Sequence, residues 1–219
     1  MSFDYAQDEE YDTMDKKQSK LFQNLLLQFS QETSDEGRQK IETQLWDEYG
    51  TEQAVFVLDM SSFSLFTRKY GIVHYLSMVR RMQLTVEPII EAYEGSVIKF
   101  EADNCLAIFP DTLPAIRAAV AMQLAFDASN LLTSDEFDVR IACGIDYGKI
   151  LIIGNEDCFG DATNRAYKLG EDVAAAGEIL VTREAMDRVN PEADIKCHAV
   201  NVSISGISIP AFAIEYRAQ

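Results

Sequence analysis

The sequence predicts an α+β fold built on a ferredoxin-like βαββαβ core, with extra strands and helices around it. Three observations carry this. Short β-branched apolar runs alternate with longer segments of helical spacing. Two of the runs meet at a tight turn in "VIKFEADNCLAIF" (97–109), the hairpin at the centre of such a plan. No internal repeat or low-complexity stretch interrupts the series. A chain of 219 residues with 47% hydrophobic side chains has the material for one substantial domain and an appendage. We divide it into an acidic tail with N-terminal helices over 1–50 and the βαββαβ domain over 51–219.

Each element has its own signal. Residues 1–15 hold six carboxylates and no lysine or arginine, which reads as a solvated, mobile tail. "KLFQNLLLQF" (20–29) has the spacing of a short amphipathic helix, and "RQKIETQLWDEYG" (38–50) that of a second, stopped by Gly50. These helices would lean on the domain or on a partner, such as a regulatory domain or protein. "AVFVLD" then reads as a buried strand. "SSFSLFTRKYG" begins a helix, which continues through "IVHYLSMVRRMQLTVEPIIEAYE" to Gly95. The hairpin follows, with Glu101, Ala102, Asp103 and Asn104 at its bend. "LPAIRAAVAMQLAFDAS" (113–129) has helical spacing. "FDVRIACGIDYGKILII" (137–153) reads as two strands joined near Asp146–Gly148. "FGDATNRAYKLGEDVAAA" (159–176) is a helix and "EILVT" (178–182) a strand. A short helix and closing strands near 195–201 and 211–217 complete one mixed sheet with helices on one face.

Composition excludes several functions. With 36 acidic against 19 basic side chains, the net charge is −17. Such a surface repels nucleic acid and anionic membrane, so a phosphate ligand would need metal ions or a few placed cations. Four cysteines lie far apart and there are two histidines, which reads as reduced thiols in a cytoplasmic protein. No apolar run approaches the roughly 20 residues of a membrane span, and the acidic start is unlike a signal peptide.

Two carboxylates stand out. Asp59 ends the first strand just before a serine-rich helix start. It reads either as a helix cap or as a strand-end ligand for metal and phosphate. Asp103 lies in a hairpin that the βαββαβ plan sets beside that strand. It is either a turn former or a second ligand. Two such carboxylates can hold divalent ions that bind phosphate oxygens and activate a hydroxyl.

The ordered stretches "VLDMSSFS", "GSVIKFEADNCLAIF", "RIACGIDYGKI" and "DCFGDATNRAYKLGEDVAAAGEILVT" resemble the class III nucleotidyl cyclase domain, the catalytic domain of adenylate and guanylate cyclases, over roughly residues 53–216. The resemblance implies a homodimer with sites at its interface and two Mg²⁺ or Mn²⁺ ions per site on Asp59 and Asp103. It implies that Lys99 and Asp157 read the base, Asn164 orients the ribose and Lys168 stabilises transition-state charge. Ser62 and Phe63 fall on the substrate-binding loop. A lysine that donates to a ring nitrogen and a carboxylate that accepts from an exocyclic amine suit adenine, so the implied reaction is ATP to cyclic AMP and pyrophosphate. In the implied dimer, Lys99 and Asp103 of one hairpin serve two different sites. Asp157 could instead begin a loop, Asn164 cap or face solvent, and Lys168 pair with Glu171 or Asp172. The chain also departs from the family. Lys168 stands where arginine is usual, Ser62 and Ala102 replace glycines, and Ser205 falls where a triphosphate-binding lysine is common. These departures imply a slow enzyme, or alternatively a catalytically weak or inactive cyclase-homology module for nucleotide binding or dimerisation in signalling.

Overall fold

Strand β1 (Gly50–Met60) is the axis of the sheet because its side chains from Ala54 to Leu58 are fully buried on both faces. The structure, a computed structural model, describes residues 5–61, 63–154, 156–204 and 207–217. On one side β1 pairs antiparallel with β3 (Asn104–Phe109), which pairs with β2 (Ser96–Glu101). On the other it pairs antiparallel with β4 (Ile141–Ile153). The order β2-β3-β1-β4 is the βαββαβ core expected from the sequence. β6 (Ile179–Thr182) lies parallel to β4, and β8 (Ile207–Ile214) and β7 (Cys197–Ile204) extend the sheet beyond it. The three-residue β5 (Asp157–Phe159) pairs back onto the end of β4.

The crossover from β1 to β2 is two helices, α3 (Phe63–Tyr70) and α4 (Ile72–Ala92). The sequence reads as one continuing helix there, but Gly71 takes φ 90° and breaks it. α4 buries Tyr75, Met78, Val79, Met82, Val86 and Ile90, a stripe three and four residues apart that fits one helix face. α5 (Thr112–Asn130), capped by the Asp111 carboxylate on the Thr112 N–H at 2.8 Å, packs beside it with small side chains at Ala115, Ala118 and Ala119. Both cover the face that carries Phe56, Leu58, Cys143 and Ile145.

Three further expectations are corrected. Residues 137–153 do not fold as two strands: β4 runs unbroken through Asp146, Tyr147 and Gly148. The Asp146 carboxylate, fully buried, is satisfied by tertiary donors, so the turn-forming residues continue a strand. The helices are not confined to one face either. α6 (Asp161–Tyr167) packs on the opposite face, where Ala162 and Ala166 meet Val55, Val57, Leu106 and Ile150. The N-terminal helix also starts earlier than residue 20. α1 spans Tyr5–Gln31, a stretch without proline or glycine whose early carboxylates favour a helix N-terminus.

α2 (Asp35–Tyr49) is capped by Ser34 Oγ on the Gly37 N–H at 3.1 Å. It forms a hairpin with α1 around a small core of Phe22, Leu25, Leu45, Tyr49 and Ile153. Phe22 meets Tyr49 edge-on at 5.1 Å and stacks on Phe159 of β5 at 6.1 Å. Among the described residues no helix is long and apolar enough to cross a membrane.

Candidate functional site

Asp59 sits at the penultimate position of β1, opposite Asn104 in the ladder, and the next N–H, of Met60, donates to Asp103 O at 3.1 Å. The hairpin turn is therefore pinned to the strand end, and the two expected carboxylates are brought to one place. Ala102 and Asp103 are the two loop residues between β2 and β3. Ala102 takes φ 52°, the left-handed region where glycine fits without strain. Tyr75 of α4 directs its hydroxyl at the Asp103 carboxylate.

Burial first, then the charges of Asp103 and Glu171, pushes the Asp59 carboxyl up to about 6. Burial also raises Asp103. Crowded carboxylates of this kind are relieved by a hard divalent cation, and oxygen donors are what such a cation takes. Asp59 and Asp103 thus fit Mg²⁺ or Mn²⁺. Among the described residues no group of three or more histidine, cysteine or acidic side chains is arranged to hold a metal by itself. Water or ligand oxygens would complete the shell of such an ion, the usual manner for Mg²⁺.

The second pair is also assembled. Lys99 Nζ on β2 lies 3.1 Å from Asp157 Oδ2 on β5 and 3.2 Å from Glu101 Oε2. Asp157 keeps its other oxygen on the Cys158 N–H at 2.9 Å. Burial works against the Lys99 charge, but the bonds to Asp157 and Glu101 more than offset it and leave the pKa raised. Tyr167 stands near this pair, its hydroxyl pushed up to about 12, mainly by burial.

α6 supplies the third group. Asn164 is exposed and Lys168 half-buried, with the Lys168 N–H on the carbonyls of Asn164 and Arg165. At Lys168 the helix widens into a π turn, Lys168–Val173, where the Ala174 N–H reaches Leu169 O at 2.8 Å. Lys168 forms no ion pair among the described residues. Glu171, a candidate partner for it, instead accepts a hydrogen bond from Asn104 Nδ2. Ser62, Ser205 and the side chain of Phe63 lie outside the described residues.

Sequence reasoning missed two supports. Arg165 Nε donates to Asp146 Oδ2 at 2.5 Å, and the Thr182 hydroxyl donates to Asp146 Oδ1. This network joins α6, β4 and β6. A charged Arg165 one position from Asn164 was the available signal, but its partner lies in what reads as a turn. The other support is Glu171, whose place beside Asn104 depends on the π turn and has no local sequence mark.

No protein-family model matches the chain. An uncharacterised protein of Mycobacterium tuberculosis is 25% identical over 157 residues, 72% of this chain and 39% of that protein. The match thus spans about two fifths of that curated relative's length. Solved structures are similar in fold. The adenylyl cyclase CyaB from P. aeruginosa superposes with a TM-score of 0.66 at 17% identity, over 78% of this chain and 97% of that one. An adenylate/guanylate cyclase/hydrolase from Silicibacter pomeroyi gives 0.62 at 23% identity, over 75% and 96%. The catalytic core of a rhodopsin-guanylyl cyclase with converted specificity, in complex with ATPαS, gives 0.65 at 15% identity, over 76% and 98%. The chain has the fold of class III adenylate and guanylate cyclase catalytic domains.

Proposed function

We propose that this chain, which has the nucleotidyl-cyclase fold, is an adenylate cyclase that converts ATP to cyclic AMP and pyrophosphate as a homodimer, and does so slowly. The observation that carries the reading is the assembly, in one fold, of the Asp59–Asp103 carboxylates and the Lys99–Asp157 pair held at 3.1 Å. Lys99 donates to a ring nitrogen of adenine, and Asp157 accepts from its exocyclic amine. Guanine presents the reverse pattern to this pair. Asn164 orients the ribose so that the 3′-hydroxyl faces the α-phosphate, and Lys168 sets its ammonium against the charge that develops there. Asp59 and Asp103 would hold Mg²⁺ or Mn²⁺. Bound there, the metal supplies positive charge to the phosphate oxygens and makes the hydroxyl easier to deprotonate. Each site takes its carboxylates from one protomer and its base-reading pair from the other.

Slowness follows from two residues of the site. A lysine at 168 is a point charge without the planar, multi-donor fork of arginine. Ala102, strained at φ 52°, burdens the turn that presents Asp103. The same two features favour a second reading, a nucleotide-binding or dimerising module with negligible turnover.

Purified protein with ATP and Mn²⁺ decides between them by the yield of cyclic AMP, measured by mass spectrometry. Product that vanishes in Asp59→Ala supports the cyclase. No product at high enzyme concentration sinks it. Mixing Asp103→Ala with Asp157→Ala should restore activity, because one of the two sites in the mixed dimer is then intact. Failure to complement would exclude sites shared between protomers.

A further inference from the structure

Asp157 sits on a strand that has little to hold it. β5 has three residues and, among the described residues, pairs in the sheet only with the end of β4. In that ladder Asp157 lies opposite Ile153 and Phe159 opposite Leu151. Side chains two apart share one face of a strand, so Asp157 and Phe159 leave β5 on the same side. Cys158 turns the other way, into the core beneath α6. The side shared by Asp157 and Phe159 is covered by the N-terminal helices. Ile153 belongs to the small core of Phe22, Leu25, Leu45 and Tyr49, and Leu151 packs against it. The Phe22 ring lies 6.1 Å from that of Phe159 and 10° from parallel, an offset stack. Phe22 is itself fixed. It is buried, Tyr49 meets it edge-on at 5.1 Å, and the Tyr49 hydroxyl donates to Gln18 O at 3.0 Å. Phe159 stays 45% exposed even under this cover, so the stack is a large part of what restrains it.

We propose that Phe22 is a positioning residue for the base-reading pair: by stacking on Phe159 it holds β5 against β4 and keeps the Asp157 carboxylate where Lys99 meets it at 3.1 Å. The inference deepens the adenylate cyclase reading and rests on it. Phe22, Phe159, Asp157 and Lys99 belong to one protomer, so the device works within each half of the dimer. It makes α1 part of the base site without any contact between α1 and the nucleotide. A base is held alike in ground and transition states, so a loosened Asp157 raises KM and leaves kcat nearly unchanged.

Phe22→Ala and Phe159→Ala each remove one ring of the stack. Phe159→Tyr keeps the ring, and at so exposed a position its hydroxyl can reach water. Both alanine variants should raise KM for ATP about threefold to tenfold, the worth of one aromatic pair, with kcat little changed. Phe159→Tyr should keep the wild-type KM, and the double alanine variant should bind no more weakly than the weaker single one. Amide hydrogen exchange gives a readout that needs no turnover. Residues 157–159 should exchange faster in both alanine variants, while residues 104–109 of β3 keep their wild-type rates. An unchanged KM in Phe22→Ala, or unchanged exchange over 157–159, overturns the proposal. Equal acceleration over 104–109 overturns it too, because Phe22 would then only stabilise the domain as a whole. A Phe159→Tyr variant as weak as Phe159→Ala would remove the stack as the cause. Absence of cyclic AMP from the wild-type chain would defeat the cyclase reading instead, and the exchange result would still decide whether Phe22 holds β5.

Discussion

Replacing Gly144 by alanine tests whether α6 and its π turn are seated directly on the sheet. A Cβ at this position of β4 would stand 2.2 Å from Ala166 O, 2.4 Å from Gly170 N and 2.9 Å from Leu169 Cβ. Two of the three obstacles are backbone atoms, which cannot swing aside as the end of a long side chain can. Overpacking a well-filled interior costs about 1–3 kcal/mol, and contacts this short put the cost near 3. Alanine restricts the unfolded chain and returns about 0.4–1 kcal/mol. The net loss is then about 2–3 kcal/mol. For a chain of this length each kcal/mol moves Tm by about 2–4 °C, so Tm should fall by about 4–12 °C. Urea unfolding should show a lower midpoint with an unchanged slope. Cyclic AMP formation, if present, should fall as well, since the helix that carries Asn164 and Lys168 is pushed off the sheet. A midpoint equal to that of wild type would refute the close approach.

Other outcomes follow from individual residues. Ala102→Gly should raise stability by up to about 1 kcal/mol, since the left-handed conformation costs an L-residue about 1–2 kcal/mol and added unfolded-state freedom returns part of it. Ala102→Val should lower stability, and a urea series that ranks valine above glycine would contradict φ 52°. Asp59, with its carboxyl raised from 3.8 to about 6, holds its proton more tightly folded than unfolded. Without metal, it therefore costs stability above about pH 6, and the cost fades as pH falls toward 4. Mn²⁺ relieves the same charge, so it should raise Tm more at pH 7.5 than at pH 5; equal shifts would refute the assignment. Lys168→Arg should raise kcat about tenfold by restoring a planar fork, and an unchanged rate would argue that the residue does not touch the reacting phosphate.

Local pattern made the βαββαβ core readable. "AVFVLD" reads as a buried strand, and the Glu101–Asn104 bend announced its hairpin. Lys99 and Asp157 could be paired only through the resemblance, because 58 residues separate them and no periodicity connects them. What escaped the sequence was tertiary in origin. Asp146-Tyr147-Gly148 has the chemistry of a turn, yet Arg165 and Thr182 satisfy the buried carboxylate and let the strand run on. The π turn depends on Gly144 and Gly170 meeting across two elements, and neither glycine signals this alone. Placing α6 on the second face required knowing that β1 is covered on both sides, which its continuous apolar run permits but does not assign to a particular helix.

The stack of Phe22 on Phe159 bears on where the chain can be cut. A fragment that begins at residue 51 would look complete by its strands, but it would strip Phe22, Leu25, Leu45 and Tyr49 from the end of β4. Burial of side chains of this size is worth about 1.5–3 kcal/mol each, a large share of the roughly 5–15 kcal/mol that holds an ordinary domain together. The damage would fall first on β5, a three-residue strand that carries Asp157 two positions before Phe159. Such a truncation should lose its grip on the nucleotide base before it loses its fold, so a shortened protein that fails to turn over would say little about the chemistry of the intact one.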